Sequence, residues 1–176
     1  YRKDMIRVFT KRAVRQARNV YREGRKMKHS ISLTVNGDCV DAVVKDNLTL
    51  LDFLRDQLFL TGTKKGCEEG NAAHVGYADG KPVNSCCTWP WSRDGHDIIT
   101  VEGIADERNA PPHQKQFIEK WAMQCGYCTP GIIMAAKALL LENPHPTGDE
   151  IKEAMSGNYC RCISHYQVIE AVKSIL

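Results

Sequence analysis

With 176 residues, 43% of them apolar, the chain has material for one ordinary domain or two small ones, and wholesale disorder is excluded. No apolar run approaches the roughly eighteen residues of a membrane-spanning helix, and the opening YRKDMIRVFTKRAVRQ lacks the apolar stretch of a secretory signal, so the expected compartment is the cytoplasm. The formal net charge of +3 is unevenly spread: residues 1–28 carry eleven Lys or Arg against Asp4 and Glu23, and the remainder carries thirteen basic and nineteen acidic side chains. A nucleic-acid protein would set its basic patch on the folded body, so nucleic acid is not an expected partner.

Ile6, Phe9, Ala13, Ala17 and Val20 recur at helical spacing among Arg and Lys, which predicts a basic amphipathic helix over residues 5–21. It ends near Gly24, and a separate unit opens close to Met27. From Ser30 the period changes to two. Ile31, Leu33 and Val35 alternate with polar residues, Asn36-Gly37 supplies a hairpin turn, and Val40 to Val44 returns. LTLLDFLRDQL, residues 48–58, reads as a short amphipathic helix. Asp79-Gly80 and Asp94-Gly95 mark turns, and Ile98 to Val101 is a last strand. The expected organisation is an arm over residues 1–28, a small α+β unit over 29–105 and a helical unit over 106–176.

That helical unit has four expected helices. His113 to Met123 is the first. Pro130, suited to a first turn, opens the second, which runs to about Leu141 before Asn143-Pro144. Thr147 and Glu150 form a capping-box pattern for the third, and Tyr166 to Ile175 is the fourth.

Eight cysteines is a high count, and without a secretory signal their clustering favours metal over disulfides. Cys125 and Cys128 form a C-x2-C pair, and Cys160 and Cys162 a C-x-C pair, each just ahead of an expected helix. Four thiolates from two such turns can converge on one centre. A [2Fe–2S] cluster takes four soft thiolates, and so does structural zinc. A redox C-x2-C is a third reading, but it leaves the C-x-C pair unexplained.

QCGYCTPG followed by SGNYCRC resembles the helical iron–sulfur domain of the molybdenum hydroxylases, the xanthine oxidase type of enzyme. TGTKKGC, DGKPVNSC and ITVEG resemble that family's N-terminal ferredoxin-like domain, in the same order. The resemblance covers residues 29–176. It implies an α+β chain: a β-grasp ferredoxin-like domain holding a plant-type [2Fe–2S] cluster, then a four-helix-bundle [2Fe–2S] domain. It also implies an electron-transfer subunit working between a molybdopterin-binding large subunit and an FAD-binding medium subunit, in a hetero-oligomer. No residue of this chain would then act on substrate as acid, base or nucleophile. Cys125, Cys128, Cys160 and Cys162 are the implied ligands of the second cluster, with Gln124 and Gly126 facing the pterin. The rival from another class is a zinc-stabilised, non-redox interaction module.

Two departures stand out. The plant-type cluster needs C-x4-C-x2-C and a distant fourth cysteine. Cys67 and Cys86 occupy the first and last ligand positions, but Ala72 and Val75 stand at the other two. His74 and Cys87 are the nearest substitutes, with plainer readings as a loop histidine and a small buried residue. A frameshift offers another account. Cys-Gly-Ala-Cys, encoded TGC GGC GCA TGT, loses its first base to give Ala-Ala-His-Val, which is residues 72–75, and the loop is one residue shorter than the family's. The second departure is the arm, since YRKDMIRVFTKRAVRQA resembles the final helix of the family's FAD-binding subunit.

Overall fold

The computed structural model describes residues 28–70, 76–104 and 112–175. The basic arm before Lys28, and Ala72, His74 and Val75 of the loop, lie outside the described residues.

The alternation read over residues 30–44 forms an antiparallel hairpin of β1 (Lys28–Val35) and β2 (Asp38–Lys45). Its turn is Asn36-Gly37, both in the left-handed region (φ 54 and 91), the backbone that matches the strands' twist. Asp79-Gly80 does the same between β3 (Gly76–Ala78) and β4 (Lys81–Val83). β5 (Asp97–Ile99) runs parallel to β1 and antiparallel to β3, giving one five-stranded mixed sheet in the order β2-β1-β5-β3-β4. The last strand is therefore shorter than the expected Ile98 to Val101. After Ile99 the chain tightens into a single 3₁₀ turn over Glu102–Ile104.

The inward side chains Ile31, Leu33, Val35, Val44 and Ile98 pack against Leu50, Phe53 and Leu54. Each such buried aliphatic or aromatic side chain contributes about 1.5–3 kcal/mol. The helix that supplies the last three is not the regular element expected over residues 48–58. It is a three-residue α-helix, α1 (Leu50–Asp52), capped by the Thr49 hydroxyl and widened into a π-helical turn over Phe53–Gln57. The Leu58 N–H bonds the Phe53 carbonyl, and Phe59 then turns left-handed (φ 58), which ends the helix. Arg55 holds the following loop by donating from its guanidinium to the carbonyls of Thr61 and Thr63. Gly62 packs against Val101 and donates its N–H to Glu102 Oε1 at 2.6 Å, where a Cβ would collide with both side chains.

Residues 112–175 form four helices: α2 (Pro112–Glu119), α3 (Thr129–Glu142), α4 (Gly148–Ala154) and α5 (His165–Lys173). α3 carries a nearly all-apolar sequence because it is the central element. Its Ile132, Ile133, Ala135 and Ala136 join Phe117, Ile151, Met155, Val168 and Val172 in one core. α2 ends four residues earlier than the expected Met123, because Trp121 adopts a positive φ of 56. The Thr147–Glu150 capping box on α4 forms as expected. α5 has a second box, Ser164 with Gln167, that the same S-x-x-Q pattern would have revealed. Met134 and Ala138 of α3 pack against Ile99, Val101 and Ile104, which joins the helices to the sheet unit.

Candidate metal centre

Two turns carry the four cysteines of the helical half. The first, Cys125 to Cys128, precedes α3 and needs Gly126, whose φ of 78 is a conformation that L side chains rarely adopt. The second, Cys160 to Cys162, precedes α5 and is held by its capping box. Across the two turns the thiols meet in pairs. The Cys162 Sγ lies 3.5 Å from the Cys125 Sγ, and Cys128 donates to Cys160. Cys160 also accepts the backbone N–H groups of Cys162 (3.3 Å) and Ile163 (3.4 Å).

Each pair shares its charge unequally. The backbone N–H of Tyr127, aided by the Cys162 thiol, pulls Cys125 below the ordinary thiol range, and Cys162 is pushed up as its partner. Burial and the bond to Cys160 push Cys128 up to about 12. Burial opposes the thiolate at Cys160, but donation from the Ile163 N–H, and then from Cys128, leaves it lowered. In each pair one thiol is thus lowered and its partner raised, and all four ligate metal only as thiolates.

Among the described residues, no three His, Cys, Asp or Glu side chains surround a point suited to a single ion. Four thiols brought together from two turns are the donor set that a [2Fe–2S] cluster would take, with Cys125, Cys128, Cys160 and Cys162 holding it. The surroundings fit such a group. The Thr129 hydroxyl, next to Cys128, and the Asn158 amide, two residues before Cys160, are buried without a hydrogen-bond partner, and such groups call for an explanation at a binding site. Gln124 is exposed beside Cys125, in a run of exposed uncharged side chains that includes Trp121, Met123 and Tyr127.

The N-terminal loop differs. Cys67 is exposed and accepts the Glu69 N–H at 3.3 Å. Cys86 is half-buried, with its Sγ 3.7 Å from that of Cys87. Cys87 is exposed, which corrects the expectation of a small buried residue: its sulfur lies over Gly70, whose φ of 82 and lack of a Cβ make room for it. Asn84 ties the two arms of the loop by donating to the Gly70 carbonyl at 2.8 Å. With Ala72 and Val75 at two ligand positions, the chain as written does not fit a four-thiolate plant-type cluster.

Residues 100–173, which include Cys125, Cys128, Cys160 and Cys162, match the family model described as a [2Fe-2S] binding domain, which sets the chain among the iron–sulfur proteins. The chain is 45% identical over 147 residues to the nicotinate dehydrogenase small FeS subunit of Eubacterium barkeri, covering 83% of this chain and 94% of that protein. It is 42% identical to caffeine dehydrogenase subunit gamma of a Pseudomonas species, covering 84% of this chain and 90% of the relative. Among solved structures, quinoline 2-oxidoreductase from Pseudomonas putida 86 superposes with a TM-score of 0.81 at 38% identity, over 84% of this chain and 93% of that one. The chain belongs to the family of small iron–sulfur subunits of the molybdenum hydroxylases. The zinc-stabilised reading gains no support from these relatives.

Proposed function

We propose that this chain is the electron-transfer subunit of a molybdenum hydroxylase, with a [2Fe–2S] cluster on Cys125, Cys128, Cys160 and Cys162. The observation that carries the reading is the meeting of four thiols from two helix-opening turns as the pairs Cys125/Cys162 and Cys128/Cys160. A cluster held there takes up and releases one electron, with a potential set by its ligands and the hydrogen bonds to their sulfurs. The chain's own residues hold and tune. Cys160 takes two backbone N–H groups, Gly126 permits the first turn, and the capping box fixes the second.

In the same reading, the sheet unit of residues 29–105 is a β-grasp ferredoxin-like domain, and residues 106–176 are a four-helix-bundle domain. Residues 1–28 are an arm resembling the tail of the family's FAD subunit. The assembly is a hetero-oligomer with a molybdopterin-binding large chain and an FAD-binding medium chain. Gln124 and Gly126 face the pterin within the exposed uncharged patch, a surface type that marks interaction sites. No helix among the described residues is long and apolar enough to cross a membrane. All eight cysteines are unbridged, in keeping with the reducing cytoplasm that we assign as the compartment.

A tagged chain isolated from its host should bring down two larger chains, one with molybdopterin and one with FAD. Gln124→Ala should leave the [2Fe–2S] spectrum intact and alter the molybdenum signal. A chain that purifies as a stable monomer, or an unchanged molybdenum signal in Gln124→Ala, contradicts the assignment.

A further inference from the structure

Asn158 lies two residues before Cys160, in the turn that delivers the second cysteine pair. Its backbone N–H closes the end of α4 by donating to the Met155 carbonyl at 2.9 Å. The side chain is 3% exposed, and neither Nδ2 nor Oδ1 has a hydrogen-bond partner in the protein. Asparagine is seldom buried, and an amide taken out of water with nothing in exchange opposes folding.

The amide borders a cavity of about 10 Å³ whose lining includes Ile132, Met155, Cys160, Ile163 and Val168. Two other polar residues, Ser164 and His165, share that lining. The Ser164 hydroxyl accepts the Gln167 N–H at 3.4 Å in the α5 cap, and His165 is exposed. Among these surroundings the sulfur of Cys160 is the acceptor that changes most when metal binds. A neutral thiol accepts hydrogen bonds weakly, whereas a metal-bound thiolate accepts them as a charged group.

The geometry points to Asn158 as a positioning residue for the helical-half centre: its side-chain N–H donates to the Cys160 thiolate once that thiolate is metal-bound. The inference rests on reading these cysteines as cluster ligands. Cys160 would then hold three N–H donors, two from the backbone and one from Asn158. A donor aimed at a ligating sulfur draws off electron density and stabilises the more negative, reduced state, so it raises the potential. The same contact relieves the amide, which couples loading of the centre to the packing of the α4–α5 turn.

The test uses the protein purified with its partner chains. In the native complex carrying asparagine labelled with ¹⁵N only in the side chain, the reduced [2Fe–2S] cluster should show a ¹⁵N hyperfine coupling, and Asn158→Leu should abolish it. The variant should also have a lower midpoint potential, with the reduced-to-oxidised ratio at fixed ambient potential falling about tenfold, which is 59 mV for a one-electron couple. The coupling in the native complex decides the matter even where the variant does not load. Iron present without that coupling, or a loaded Asn158→Leu with unchanged potential, overturns the role of Asn158 alone. A native complex whose four cysteines hold no iron overturns the cluster reading and this role with it.

Discussion

The phenolic O–H of Tyr127 donates to the backbone carbonyl of Lys65 at 2.6 Å, across 62 positions of sequence. Tyr127 stands between Cys125 and Cys128, and Lys65 stands two residues ahead of Cys67, so this bond ties the helical-half turn to the N-terminal cysteine loop. The Lys64 ammonium lies 6.0 Å from the centre of the same ring.

Tyr127→Phe keeps the ring and removes the donor. The expected loss is about 0.5–1 kcal/mol, a typical net value for one hydrogen bond at a half-open site. Amide exchange at Gly66 and Cys67 should quicken while the core strands are unaffected. Unchanged exchange in the loop would mean that the two halves are not joined through this bond.

Gly126→Ala separates a conformational role from a pterin-facing one. A Cβ at Gly126 meets nothing within 4 Å, but the φ of 78 strains any L side chain by about 1–2 kcal/mol. We expect the variant to load less iron and to lose it faster to a chelator, even in the isolated chain. Normal iron retention in the isolated chain, with a defect only in the complex, would shift the role of Gly126 to the pterin face.

The Lys65 ammonium sits 2.7 Å from Asp52 Oδ1 and holds that carboxyl below its ordinary 3.8, while Asp52 in turn raises Lys65. A carboxylate with a depressed folded value stabilises the protein above its unfolded value, and the contribution is lost as the pH falls through the folded one. Asp52→Asn should therefore lower the unfolding midpoint at neutral pH. In acid well below 3.8, where both proteins are neutral at this position, the difference should close. Denaturant titrations of both proteins across that range check the sign, and a gap that widens in acid contradicts it.

Much of this architecture was legible because local chemistry and tertiary structure agree. Asn36-Gly37 and Asp79-Gly80 mark hairpins that form at those pairs, and Thr147 with Glu150 caps α4 as the pattern implies. Missing from the sequence reading were features set by distant partners or by one backbone angle. Trp121 stops α2 early, Phe59 ends the π-helical turn, and both do so with a left-handed φ that neither residue type signals. Nothing in the sequence marks Tyr127 or Asn158, since only folding brings Lys65 to one and the α4–α5 cavity to the other. That the cysteines of the two helical-half turns can converge was legible from their spacing, whereas their pairing across the turns was not.

The loop at residues 67–87 poses a question of composition. As written, it offers Cys67, Cys86 and Cys87 but no sulfur at positions 72 and 75. On the frameshift account, the protein made in its host carries cysteines at or beside those positions. Intact mass should then disagree with the written sequence, and iron analysis should give four irons per chain, the content of two [2Fe–2S] clusters. Two irons with a matching mass would establish that the cluster has been lost.

The central claim is that Cys125, Cys128, Cys160 and Cys162 hold one [2Fe–2S] cluster, and electron paramagnetic resonance of the dithionite-reduced protein tests it most directly. One signal of a one-electron-reduced [2Fe–2S] cluster should be present in the native chain, lost in Cys160→Ala and in Cys162→Ala, and retained in Cys67→Ala, whereas a second signal from the loop of residues 67–87 should depend on Cys67 alone of these three. A native chain in which no [2Fe–2S] signal depends on Cys160 and Cys162, or one with zinc in place of iron at these thiols, would contradict the account.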